Sequence, residues 1–336
     1  MDDQRNGTAH GGAAKRRQER QAAEQARRAR EAKERRQATI IGSVVACILL
    51  VLVAIGAFSI YNSIHAKQVK EQQHQEQTSS EAVAEAKKTM NDAENRPVNA
   101  DDQGGVIVSK NGYGTKVDGA PTVAFYMEPL CPGCASIHRM LDDTLTKMVD
   151  AGQLNLELHF MTFQDNKSTV VKDGETTSDL YSTRAFNGAV TILENDPDPD
   201  HLLGYLANIY AEDFQPGELD DYVSVSDDQL REQAIAAGVS EEIADKAFDG
   251  TTPYATWLKA ADSYTIRRTE LYAPGSDGFT SPTLTINGTY WATSTPSKAG
   301  VSFPEGFLKA LGIDASKIGD ASVMPSIGAD GAPIEL

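Results

Sequence analysis

Cysteine is nearly absent. The 336 residues hold three, at positions 47, 131 and 134. A small secreted domain held together by disulfides carries many more, so that class is excluded. No second Cys pair exists to complete a four-ligand structural zinc site. Cys47 lies inside a hydrophobic segment and reads as a small membrane-buried residue. Any disulfide within the folded domain therefore joins Cys131 and Cys134. Cationic charge is scarce beyond residue 61, where residues 62–336 hold twenty Lys/Arg against forty-two Asp/Glu. Aromatic residues are missing from 62–104 altogether. That stretch, rich in Gln, Glu, Lys and Ala, cannot build a core of its own and reads as a stalk or linker.

The cations are gathered at the front. Residues 1–37 hold eleven Lys/Arg and six Asp/Glu, and residues 38–61 carry no charge at all. About 20 apolar residues in a helix span a bilayer, so 38–61 is expected to be a transmembrane helix. It exceeds the roughly 7–15 apolar residues of a cleaved signal peptide. Arg30, Lys33, Arg35 and Arg36 precede it, which puts the N-terminus in the cytoplasm and the rest outside the cell membrane. The basic segment is read as a juxtamembrane, lipid-facing stretch that fixes topology, and no nucleic-acid partner is expected.

The richest local pattern is Cys131-Pro132-Gly133-Cys134. It follows an apolar, strand-like run at 121–127 and precedes an amphipathic, helix-like run at 135–145. Strand, CxxC, helix is the setting of a redox dithiol. A purely stabilising disulfide is a poor alternative, because closing so short a loop restricts the unfolded chain little. Alternation predicts a strand at 154–161. Helical patterns fill 179–270, including Ser240-Glu-Glu-Ile as a helix start. Asn287-Gly288 between two short strand-like runs predicts a hairpin. A helix is expected at 304–311, and a flexible tail at 313–336. Asp196-Pro-Asp-Pro-Asp200 lacks the Gly and the final Glu of a calcium loop and reads as a helix–helix connection.

This order resembles the thioredoxin fold with a helical insertion, as in DsbA-like thiol–disulfide oxidoreductases. The residues that carry the likeness are Tyr126-Met-Glu128-Pro-Leu-Cys131-Pro-Gly-Cys134 and Thr280-Ser-Pro282-Thr-Leu-Thr-Ile-Asn-Gly288. It implies an α/β domain over about 105–312, with the insertion at about 179–270. Cys131 would be the exposed nucleophile at a helix N-terminus, where free N–H groups favour a thiolate. Cys134 would be the buried resolving thiol. Pro132 fits the first helical turn. Pro282 resembles the family's cis-proline facing the dithiol, with Ser281 offering backbone groups to a bound peptide. Glu128 reads equally as a proton relay or a solvated loop carboxylate. His138 reads as a partly exposed helix residue. Many strong oxidases of the family carry His where this chain has Gly133, which leaves the direction of electron flow open.

The expected function is a membrane-tethered, extracytoplasmic oxidoreductase that forms disulfides in exported proteins with cysteine thiols. It needs no cofactor or metal, but needs a redox partner to regenerate the dithiol or disulfide. The alternatives are a disulfide reductase or isomerase, or a non-catalytic, anchored peptide-binding module of the same fold.

Overall fold

The computed structural model describes residues 74–336. The basic segment 1–37, the transmembrane expectation at 38–61 and the start of the stalk lie outside the described residues. Among the described residues, no helix is long and apolar enough to cross a membrane.

Gln75–Leu336 forms one compact unit. Helix α1 (Ser80–Asn91) begins where the Ser79 side chain accepts the Ala82 N–H, the usual service of an N-cap serine. Strands β1 (Val106–Ser109), β2 (Gly112–Tyr113) and β3 (Thr122–Met127) follow. Helix α2 (Pro132–Asp150) leads to β4 (Asn155–Phe160). A small separate hairpin, β5 (Thr169–Lys172) and β6 (Glu175–Ser178), turns at Asp173-Gly174, where both φ angles are positive (55° and 84°). Five helices come next: α3 (Tyr181–Asn195), α4 (Pro199–Ile209), α5 (Asp227–Ala236), α6 (Glu241–Ala247) and α7 (Ala255–Thr265). The chain closes with β7 (Thr283–Ile286), β8 (Thr289–Trp291), the short α8 (Thr295–Lys298) and α9 (Phe303–Leu311).

The main sheet has the order β2-β1-β4-β3-β7-β8. β3 and β4 are parallel, joined by α2, and every other pairing is antiparallel. This is a mixed α/β sheet of thioredoxin-like topology, with α3 to α7 inserted between β4 and β7. Side chains alternate across the sheet. Val123, Phe125 and Met127 join Leu156, Leu158, Phe160, Leu284 and Ile286 in the main core with Leu141 and Leu145 of α2. Ala124 and Tyr126 face the other way, into a small cluster with Met161 and Leu271. The expected hairpin at Asn287-Gly288 is present, with φ angles of 48° and 78°. Both are positive, as a type I′ turn requires.

Two expectations are corrected. The stalk over 62–104 is in part a piece of the domain. α1 packs on α7, and its Met90 is fully buried, a burial worth about 2 kcal/mol. Gly104, at φ 81°, brings the returning chain against the Met90 sulfur. The tail over 313–336 is docked rather than free. Buried Gln153 donates its amide to the carbonyls of Lys317, Asp320 and Val323 at 2.8, 3.1 and 2.7 Å and accepts the Gly319 N–H at 2.9 Å. Asn287 holds the Gly328 and Gly331 carbonyls at 3.0 and 2.8 Å. Side-chain amides satisfy a backbone that has no apolar pattern of its own.

Candidate active site

The CxxC segment sits where β3 hands over to α2. Cys131 is the N-cap, with extended backbone (φ −73°, ψ 118°), and Pro132 and Gly133 are the first exposed residues of the helix. Pro132 fits because the N–H it lacks would have no helical partner. Cys134, one position further into the first turn, is fully buried. Both cysteines are free thiols. The expected exposure of Cys131 is corrected: it is only 6% exposed. It lies beneath the Ser281–Pro282 loop, and its thiol donates to the Ser281 carbonyl at 3.4 Å.

The Ser281–Pro282 peptide bond is cis. The proline ring lies over the dithiol turn. A Cβ added to Gly133 would come within 2.9 Å of Pro282 Cδ and 3.6 Å of the Cys131 sulfur. A histidine there would have to displace the proline loop, which gives a steric reason for glycine in this chain. The Gln164 amide donates to Ser281 Oγ at 3.3 Å.

The two sulfurs are driven apart in acidity. Cys131 is lowered to about 6, chiefly by the hydrogen bond from the Cys134 thiol. Burial opposes this, while the Ser281 side-chain hydroxyl, as distinct from its carbonyl, and the backbone N–H groups of Cys134 and Gly133 add to it. Burial raises the Cys134 thiol well above its ordinary value, and the neighbouring Cys131 adds to the rise. One sulfur is thus a thiolate at neutral pH and its partner a thiol, the division of labour a dithiol needs. Alkylation of the reduced protein by iodoacetamide is expected to follow a single thiolate titration with a midpoint about pH 6. A midpoint near the ordinary cysteine value of about 8.5 would contradict this arrangement.

Glu128 is fully buried rather than solvated. Its own N–H donates to Cys134 Sγ at 3.4 Å. One carboxyl oxygen accepts the Leu130 N–H at 2.8 Å, and the other accepts the Ser182 hydroxyl. Burial raises this carboxyl well above the ordinary range, with Ser182 and Leu130 opposing. His138 is also corrected. It is buried, stacked between Phe125 (4.8 Å) and Tyr210 (3.9 Å), with Nδ1 2.8 Å from Asp142. It belongs to the packing beneath α2.

The structure therefore brings Cys131, Pro132, Gly133, Cys134, Ser281, Pro282 and Glu128 to one place. It adds three residues without a sequence signal: Ser182, Gln164 and Gln215. The Gln215 amide donates to the carbonyls of Pro129 and Cys131 at 3.2 and 3.0 Å.

Residues 115–253 match the family model described as Thioredoxin. Among curated proteins, the serine/threonine-protein kinase PknE of Mycobacterium tuberculosis is 29% identical over 97 residues, which are 29% of this chain. The match spans only 16% of that kinase's length. Among solved structures, reduced DsbA of Mycobacterium tuberculosis is 22% identical, with a TM-score of 0.45, covering 65% of this chain and 97% of that one. The disulfide bond oxidoreductase DsbG of the same organism is 21% identical, with a TM-score of 0.43, over 66% and 93%. The thiol-disulfide oxidoreductase MdbA of Corynebacterium diphtheriae is 21% identical, with a TM-score of 0.42, over 56% and 89%.

Proposed function

We propose that the chain is a thiol–disulfide oxidoreductase, tethered to the cell membrane by residues 38–61, that forms disulfides in exported proteins on the extracytoplasmic side. The observation that carries the chemistry is the arrangement of the two cysteines: Cys131 at the N-cap of α2, its sulfur against the carbonyl of Ser281 before the cis Pro282, and Cys134 fully buried in the first turn. The tether rests on the uncharged segment and the cations before it.

In the oxidising direction, a substrate thiolate attacks Cys131 Sγ of the Cys131–Cys134 disulfide. The S–S bond breaks, a mixed disulfide forms on Cys131, and Cys134 leaves as a thiolate. Cys134 then takes a proton, and Glu128, whose backbone N–H touches Cys134 Sγ and whose carboxyl is raised well above its ordinary value by burial, is the nearby acid that can supply one. A second substrate thiolate attacks the substrate sulfur of the mixed disulfide, and Cys131 leaves. The substrate loses two electrons, and the protein is left as the Cys131 thiolate and the Cys134 thiol. An acidic leaving thiol speeds this last step. A redox partner must remove the two electrons again.

The reduction potential tests direction. Equilibrating the protein in glutathione buffers and reading the dithiol by alkylation is expected to give a value between about −120 and −180 mV. A value at or below about −270 mV, that of a reducing thioredoxin, would refute the disulfide-forming reading.

A further inference from the structure

The helical insertion does more than cover the dithiol; it reaches into it. Ser182 lies in the first turn of α3, 54 residues beyond Glu128, and is fully buried. α3 starts without a side-chain cap of its own at Leu180. Its N-terminus is instead held by the neighbouring connection. Asp165 accepts the Thr183 N–H at 3.0 Å and the Thr183 hydroxyl at 2.6 Å, and Ser168 Oγ accepts the Tyr181 N–H at 3.3 Å. This tertiary capping fixes the first turn of α3, and with it the Ser182 hydroxyl, against the Glu128 carboxyl.

We propose that Ser182 is a positioning residue for the dithiol: its hydroxyl holds the Glu128 carboxyl in place for proton exchange with Cys134, making the helical insertion part of the redox chemistry. The proposal deepens the oxidoreductase reading and rests on it. The geometry leaves each partner one role. The Leu130 N–H anchors one carboxyl oxygen to the active-site turn. Ser182 anchors the other to the insertion. Glu128 is thereby held by two hydrogen bonds from two separate segments while its backbone N–H contacts Cys134 Sγ.

The charges and titratable groups acting on this carboxyl come from several elements. They are Cys131 at the N-cap of α2, Cys134 of α2, Tyr181 of α3, Tyr210 after α4 and Asp262 of α7. Burial, Cys131 and Asp262 push the carboxyl toward its neutral form, and Ser182 is first among the groups that oppose them. Removing the hydroxyl removes an interaction that favours the carboxylate, so the carboxyl is expected to hold its proton to a higher pH.

The test is Ser182→Ala in the full-length chain, read in two ways. The carbon-13 resonance of the Glu128 carboxyl, followed against pH in the reduced protein, is expected to titrate about one pH unit higher than in the parent. The pH profile of mixed-disulfide formation between the oxidised protein and a cysteine peptide is expected to move in the same direction. Ser182→Thr, which keeps the hydroxyl, restores both. In a Glu128→Gln background, Ser182→Ala is expected to leave the profile where Glu128→Gln alone puts it. An unmoved Glu128 midpoint, or a Ser182→Ala effect that persists in the Glu128→Gln background, overturns the proposal, since a merely structural role would act without Glu128. The carboxyl titration needs no turnover. A protein that titrates as expected but oxidises no thiol therefore refutes the oxidoreductase reading and, with it, the role of Ser182. A protein that turns over with an unmoved midpoint refutes the Ser182 assignment alone.

Discussion

Replacing Cys131 by serine is expected to abolish turnover of a reduced, unfolded substrate, down to the level of buffer alone. The hydroxyl ionises far above neutral pH and cannot form an S–S bond, whereas the native thiol is lowered to about 6 by Cys134, Ser281 and the N–H groups of the helix start. Cys134→Ser should behave differently. It keeps the nucleophile but removes the buried partner that competes with substrate for Cys131, so mixed disulfides with substrate should accumulate and survive on non-reducing gels. Cys134→Ala, which in addition removes the hydrogen-bond donor that contributes most to lowering Cys131, should shift alkylation of Cys131 to higher pH. The pair of variants separates catalysis from binding. A peptide-binding module would keep partner affinity in Cys131→Ser and show no turnover in the parent. Full activity in Cys131→Ser would refute the assignment of the nucleophile.

The half of the site made by local sequence is legible without a structure. A strand, a CxxC and an amphipathic helix are contiguous, so Cys131, Pro132, Gly133 and Cys134 read directly from spacing. Ser281 and Pro282 are far away in the chain, and only the strand and the Asn287-Gly288 turn after them mark their place. Ser182 and Gln215 carry no such mark. Each sits in an ordinary helical or acidic loop context, and its role appears only when α3 and the connection after α4 are folded over α2. Glu128 is ambiguous for a related reason: a carboxylate is usually solvated, and nothing local says that the insertion will bury it. The docked tail was hidden because two side-chain amides, Gln153 and Asn287, hold it rather than an apolar stripe. The small hairpin is the opposite case. Asp173-Gly174 is a strong turn signal, but its strands are short, largely exposed and mixed in polarity, with Val170 and Val171 adjacent, so no alternation announces them.

A large pH effect on stability is expected from a buried acid outside the CxxC turn. Asp262 of α7 is buried, and its carboxylate accepts the Thr162 N–H at 2.9 Å and the Thr162 hydroxyl at 2.6 Å. These bonds tie α7 to the end of β4. They do not offset burial, which raises the carboxyl from 3.8 to about 7. A carboxyl raised on folding stabilises the folded state fully while both states are protonated. That advantage is lost as pH climbs from the unfolded value through the folded one. Asp262 alone is therefore expected to make the domain less stable by on the order of 4 kcal/mol between about pH 4 and pH 7, with no further change above. Glu128, raised for the same reason, acts in the same direction. Cys131 acts oppositely in the reduced protein: its contribution is present above the unfolded thiol value and falls away as pH drops through about 6. Oxidation removes the Cys131 contribution and leaves those of the carboxyls. Asp262→Asn keeps an acceptor for the Thr162 N–H and removes the ionisation. Denaturant unfolding of the oxidised protein across this range should then show the parent losing stability with rising pH and the variant losing much less. Equal slopes for the two proteins would mean that Asp262 is not the buried acid responsible.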